Sequence, residues 1–142
     1  MSILIGIDPG ENTGLAIWDT REGKFLTLET LPIHQALVKV MLWRDNVGHD
    51  IKVVFEDARQ RKWFPREKNV SEYRGKLMGA GAAKRDARIW EEFLTDYGIP
   101  FTAHKPQAGG TKWSADYFAQ VTGWTGRTSE HARDAALLVY GR

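Results

Sequence analysis

The apolar positions of this 142-residue chain change period several times along its length, and each change marks an element. Residues 2–8 are almost continuously apolar, the pattern of a strand buried on both faces. "TGLAIWD" (13–19) and "KFLTLETL" (24–31) read as two more strands, the latter alternating most clearly at Leu26 and Leu28. The intervening "PGEN" and "TREG" carry hairpin turn chemistry. Over 34–47 the spacing lengthens to that of a helix, with Leu37, Val40, Met41 and Trp43 or Arg44 on one side. "IKVVFED" (51–57) is a short apolar strand ending in two acids.

The pattern then breaks. "ARQRKWFPREKN" is polar, basic and interrupted by Pro65, so a loop is expected over 58–68. Asn69 followed by Glu72 has the form of a capping box that opens a long helix. Tyr73, Leu77, Ala80, Ala83, Ala87, Trp90, Leu94 and Tyr97 recur at steps of three and four, which predicts one packed face along the whole helix. Gly98 and Pro100 stop it. "PFTAHK" predicts a short strand, 110–122 a helix, and 129–140 a last helix capped by Thr128 or Ser129. With no repeat and no linker, the chain reads as one domain, 1–142. Three antiparallel strands followed by strand–helix–strand units predict an α/β fold, a mixed sheet with helices on both faces.

Composition adds exclusions. The chain has no cysteine, so disulfides and thiolate metal sites are ruled out. "MSILIGIDPG" lacks the basic segment of a signal peptide, and no apolar stretch approaches the roughly 20 residues of a membrane span. A soluble intracellular protein is expected, with no membrane partner. The net charge of +2 conceals an asymmetry: from Arg59 to Arg88 ten Lys/Arg face three acids, a net +7, which leaves −5 for the remainder. Beside Trp63 and Phe64, such a block suits a polyanion such as nucleic acid.

Candidate chemistry lies at element ends. Asp8 closes the first strand before Pro9-Gly10, Glu56 and Asp57 close the fourth, and His131 and Asp134 sit three apart on the last helix. At that spacing the latter two share a face. If the strands 2–8 and 51–57 are neighbours, Asp8 ends beside Glu56 or Asp57; alternation puts those two acids on opposite faces, and the sequence leaves open which one faces Asp8. Clustered carboxylates need cations, and hard oxygen donors favour Mg²⁺ or Mn²⁺. A pair of such ions, about 3.5–4 Å apart, can activate a water and stabilise the leaving oxygen of a phosphodiester. Actin-like ATPases and sugar kinases also place an aspartate and glycines after a strand, but they need a second domain that 142 residues do not supply, so no nucleotide cofactor is expected.

These residues carry a resemblance. "GIDPG" with Thr13-Gly14, "VVFED" and "HARDAALL" occur in an order that resembles the RuvC family of Holliday-junction resolvases, its small phage-type members above all. The likeness spans essentially the whole chain, though 58–98 matches in type rather than in detail, and many cellular members have one more residue between DPG and TG. It implies a ribonuclease H-like fold with a five-stranded mixed sheet flanked by helices on both faces. It further implies that Asp8, Glu56 and Asp134 are the metal-binding carboxylates and that His131 belongs to the same catalytic, metal-binding set.

The expectation is a nuclease domain: a Mg²⁺- or Mn²⁺-dependent endonuclease, two ions per site, cutting branched DNA and by preference four-way junctions. The resemblance implies products with 5′-phosphate and 3′-hydroxyl ends. Related nucleases acting on RNA or hybrids, and a DNA-binding module without catalysis, are the alternatives. Arg59, Arg61, Lys62, Arg66 and Lys68 are expected to bind phosphates, with Lys105 and Lys112 as further DNA-binding cations. Trp63 or Phe64 would wedge into an open junction. A junction offers two strands of like polarity, which suits a homodimer. Gly75, Gly79 and Ala83, at steps of four on the long helix, form a small-residue track that would allow close helix approach.

Overall fold

The computed structural model describes residues 2–48, 50–61, 70–106 and 112–142. Strand β1 (Ile3–Asp8) lies at the centre of a five-stranded sheet of order β3-β2-β1-β4-β5. It pairs antiparallel with β2 (Asn12–Asp19), which pairs antiparallel with β3 (Lys24–Pro32). On its other side β1 pairs parallel with β4 (Ile51–Glu56), and β4 pairs parallel with the short edge strand β5 (Phe101–His104). The helices are α1 (Ile33–Val47), α2 (Val70–Asp96), α3 (Ala115–Thr122) and α4 (Glu130–Leu137). This is the mixed α/β, ribonuclease H-like architecture that the sequence predicts, with helices on both faces.

Alternation along the strands sorts the two faces. Ile3, Ile5, Ile7, Leu15, Ile17, Ile51, Val53 and Phe55 pack with α1 through Ala36 and Val40, and with α2 through Ala87, Trp90 and Leu94. Leu4, Ala16, Trp18, Phe25, Leu28 and Val54 pack on the other side with Phe118 of α3 and with Ala135 and Ala136 of α4. Leu26 departs from its expected inward position. The β2–β3 register jumps from Ile17↔Thr27 to Trp18↔Phe25, so Leu26 is bulged out and exposed.

Two glycines set how closely α4 lies on the sheet. A Cβ built on Gly6 of β1 would fall on the Ala135 carbonyl oxygen, and one on Gly14 of β2 on the His131 carbonyl oxygen. The helix backbone therefore rests directly on β1 and β2, with buried Ala132, Ala135 and Ala136 as its facing residues. Between the two candidate caps, Ser129 starts α4: its Oγ accepts from Ala132 N at 3.1 Å and also contacts Thr30 Oγ1 of β3. The helix is shorter than the 129–140 expected. Leu138 N and Val139 N turn back to Ala135 O and Ala136 O at 3.2 and 3.1 Å, tightening its end.

Two other expectations are corrected. Helix α3 starts at Ala115 rather than near 110, because Ser114 Oγ accepts from Tyr117 N at 3.1 Å and sets the first turn there. The packed face of α2 covers only its second half: Ala87, Trp90 and Leu94 are buried, while Tyr73 and Leu77 are exposed; Tyr97, one residue past the helix, is also exposed rather than packed. The reason is length. Twenty-seven helical residues span roughly 40 Å, against about 20 Å for a six-residue strand, so the helix overruns the sheet.

Because the oxygens facing Gly6 and Gly14 belong to backbone, they cannot rotate aside. Gly14→Ala is expected to destabilise the fold by about 1–3 kcal/mol or more. Urea unfolding of this variant beside an exposed control, Gly81→Ala, where a Cβ meets nothing within 4 Å among the described residues, measures the difference.

Candidate active site

The C-terminal ends of β1 and β4 carry the first two acids. Their register, Ile7↔Phe55, brings Asp8 and Glu56 to neighbouring positions at one edge of the sheet. Both follow the parity of Leu4 and Val54, which face α4. The close seat of α4 then supplies the other two groups. His131 Nδ1 lies 3.0 Å from Asp8 Oδ2 across 123 residues of chain. Asp134, one turn further along α4, acts with Glu56 as a like charge on Asp8. The turn after Asp8 is tied internally, Thr13 donating its hydroxyl to Gly10 O at 2.7 Å, and Thr13 is fully buried.

Charge in this cluster is balanced from within. Burial lifts the Asp8 carboxyl to about 6; the His131 hydrogen bond opposes that rise, and the charges of Glu56 and Asp134 add to it. Lys112 sits on Asp134, Nζ to Oδ2 2.5 Å, and reaches Glu130 at 3.4 Å. Those carboxylates hold the Lys112 ammonium above its usual value. Arg133 fixes the segment that carries Lys112, donating to Trp113 O at 2.9 Å and to Thr128 O at 2.7 Å.

Asp57 has a different fate. It is buried, and its carboxylate accepts from Arg59 Nε and Nη2 at 2.8 and 2.9 Å. Arg59 extends to Glu91 of α2, Nη2 to Oε2 2.7 Å. These bonds hold the Asp57 carboxyl below its usual value and the Arg59 guanidinium above its own. Asp57 thus shares the face of Phe55, towards α2, and leaves Glu56 on the face of Asp8.

The donor set, three carboxylates and an imidazole, is chemically suited to a hard divalent cation. The mutual repulsion registered at Asp8 is what such a cation would relieve. As they stand, no three carboxylate or imidazole side chains among the described residues form a group that could hold an ion. Lys112 supplies positive charge at Asp134 in its place, and His131 a hydrogen bond to Asp8.

Of the expected DNA-binding cations, Arg61, Lys105 and Lys112 are exposed. Arg59 is instead engaged by Asp57 and Glu91 inside the protein. Lys62, Trp63, Phe64, Arg66 and Lys68 lie outside the described residues, as does Asn69 of the expected capping box. The sequence reading missed the Lys112–Asp134 pair and the role of Arg133, since neither follows from spacing. It also missed the function of Gly6 and Gly14; a glycine within an otherwise bulky strand, as at Gly6, is the available signal.

The architecture defines an α/β fold of the ribonuclease H-like class. Within that class it resembles RuvC: the chain is similar to T. thermophilus RuvC in complex with Holliday junction substrate, with a TM-score of 0.56 and 17% identity over 96% of this chain and 89% of that one. A Fowlpox virus resolvase, in complex with its substrate Holliday junction DNA, aligns at 15% identity over 94% and 95% of the two chains, with a TM-score of 0.46. The large terminase nuclease from thermophilic phage G20c aligns at 17% identity and a TM-score of 0.41 over 84% of this chain, which spans 50% of that protein. No protein-family model matches the sequence, and no curated protein matches it. No helix among the described residues is long and apolar enough to cross a membrane.

The position of Asp8 has a measurable consequence for the metal-free protein. A carboxyl lifted from 3.8 to about 6 binds its proton more tightly when folded, so it weakens the fold as pH rises through that interval and most above it. In chelator, Asp8→Asn is therefore expected to stabilise the protein at pH 8 by on the order of 2–3 kcal/mol relative to its effect at pH 4. Thermal or urea unfolding at the two pH values reads this difference; an equal effect at both would contradict the assignment.

Proposed function

We propose that this chain is a divalent-metal-dependent endonuclease that cuts branched DNA, with four-way junctions as its preferred substrate. The observation that carries the reading is the meeting of His131 and Asp8 at 3.0 Å, with Glu56 and Asp134 acting on the same carboxylate, on a RuvC-like fold. A cluster of acids on such a fold is costly to maintain unless a cation uses it.

In this reading Asp8, Glu56, His131 and Asp134 hold Mg²⁺ or Mn²⁺, two per site. Bound there, the ions supply an acidified water and positive charge at the leaving oxygen, with hydrolysis giving 5′-phosphate and 3′-hydroxyl ends. The chain's own groups do the remainder. Asp8 must lose its proton, which the ligand-free site retains up to about pH 6. Lys112 must release Asp134, and once released its exposed ammonium is free to contact a phosphate oxygen. Arg61 and Lys105 add positive charge near the strand ends for the DNA backbone.

The same reading makes the enzyme a homodimer through α2. Support comes from the half of the helix that overruns the sheet. Val70, Tyr73, Leu77 and Met78 are exposed there, and a Cβ on Gly75 or Gly79 meets nothing within 4 Å. Gly75 and Gly79 are thus left open by the described residues, while Ala83 is half-buried.

Labelled four-way junction, flap, linear duplex and RNA–DNA hybrid, each with Mg²⁺, Mn²⁺ or EDTA, test the activity. Junction cleavage with either ion and none in EDTA is expected, and Asp8→Asn should abolish cleavage while retaining junction binding. Preferential cleavage of the hybrid would move the substrate to RNA-containing duplexes. Arg61→Ala should weaken binding to every DNA and lower the slope of log affinity against log salt by about one. Light scattering of the free and junction-bound protein should give a dimer mass; a monomer in both would remove α2 as an interface.

A further inference from the structure

We infer that Arg59 is a positioning residue: by clamping Asp57 to Glu91 on the α2 side of the sheet, it decides which of two consecutive acids is presented to Asp8. The inference rests on the metal-dependent nuclease reading above and concerns the chain's own side chains.

The problem it solves is built into β4. Glu56 and Asp57 are adjacent carboxylates, and a strand sends adjacent side chains to opposite faces. A local shift of one residue would exchange them, placing the shorter acid towards Asp8 and the longer one in the interior. The sheet alone holds this end lightly. Its outer neighbour β5 has four residues and is an edge strand. The last contacts are the Glu56↔His104 register and the bond from Asp57 N to His104 O at 2.8 Å.

Arg59 supplies the missing constraint. Its guanidinium grips both oxygens of Asp57, through Nε at 2.8 Å and Nη2 at 2.9 Å, and its backbone N–H donates to Oδ1 at 3.0 Å. The other side of the same fork reaches Glu91, at 2.7 and 3.3 Å. Glu91 follows Trp90, a fully buried residue of the core, so the clamp is anchored in a fixed part of α2. Gln60 adds a tie to the edge strand, donating to Ala103 O at 3.1 Å. Bridging two carboxylates in one plane needs the planar, five-donor fork of arginine; the compact ammonium of lysine cannot make both pairs. Arg61, two residues on, is exposed.

The competing account is that the clamp only neutralises a buried acid. The two differ for the double variant Asp57→Asn/Arg59→Ala, which removes the buried charge and the clamp together. Mn²⁺ binding to the DNA-free protein, read from the electron paramagnetic resonance signal of free Mn²⁺, separates them, with unfolding measured on the same samples. Wild type should bind Mn²⁺ in a manner lost in Asp8→Asn. Arg59→Ala should bind about 10-fold more weakly, and Arg59→Lys should fall between. The double variant should regain stability relative to Arg59→Ala while its Mn²⁺ affinity stays low. Glu91→Ala, which leaves Asp57 paired, should show a smaller loss and keeps the test open should Arg59→Ala not fold. In cleavage, kcat should fall with junction Kd unchanged. Wild-type Mn²⁺ affinity in the folded double variant would overturn the positioning role and leave the clamp as a stabilising pair. Absence of Asp8-dependent Mn²⁺ binding in wild type would overturn the nuclease reading and this inference with it.

Discussion

Everything at the candidate site depends on the backbone of α4 lying against the backbone of β1 and β2. That approach exists because Gly6 and Gly14 present no side chain where Ala135 and His131 place their carbonyl oxygens. Ala132, Ala135 and Ala136 complete a seam of minimal side chains on the helix side. A side chain at either glycine would collide with the α4 backbone and push the helix off the strand ends. With none there, a residue 123 positions away touches Asp8. Ser129, which caps α4 and contacts Thr30 of β3, sets the start of the helix along the same sheet.

Bringing acids together has an electrostatic cost, and the chain meets it differently on the two faces. On the α4 face the balance is soft. His131 and Lys112 are both mostly exposed, at 55% and 63%, and each bonds one carboxylate that a cation could take over. Burial keeps Asp8 partly protonated near pH 6, and the His131 hydrogen bond opposes it only in part. On the α2 face the balance is hard: Asp57 is 6% exposed and gripped by a guanidinium that has a second acid behind it. The partners on one face are loosely held, and those on the other are locked in place.

Much of this was legible in the residues. The strands, the antiparallel run of the first three and the turn after Asp8 follow from period and turn chemistry, and the i, i+3 spacing puts His131 and Asp134 on one face; that β4 lies beside β1 does not follow from the residues alone. What was not legible has specific causes. Leu26 was misassigned because a bulge breaks the period-2 rule at one residue, and no composition marks it. Tyr73 and Leu77 continued the helical stripe of Trp90 and Leu94, but the stripe cannot report where the sheet beneath it ends. The Glu56/Asp57 ambiguity is intrinsic to adjacent acids: only the partner on another element, Glu91, distinguishes them. Lys112 was identified as a cation for DNA, yet its pairing with Asp134 depends on Arg133 holding Trp113, a contact across 20 residues.

The location of the site follows from topology. β1 is the strand at which the sheet changes sense, antiparallel to β2 and parallel to β4. A parallel neighbour brings two carboxyl-terminal strand ends to the same edge, which is how Asp8 and Glu56 come to lie side by side; an antiparallel neighbour would have separated them by the length of a strand. The antiparallel partner contributes differently, returning Thr13-Gly14 beside Asp8 so that the helix can descend on that edge. Open α/β sheets tend to bind ligands beyond the carboxyl ends of their strands. In this chain the reason is visible in individual residues: one neighbour of β1 delivers a second acid, and the other clears the space through which α4 delivers the rest.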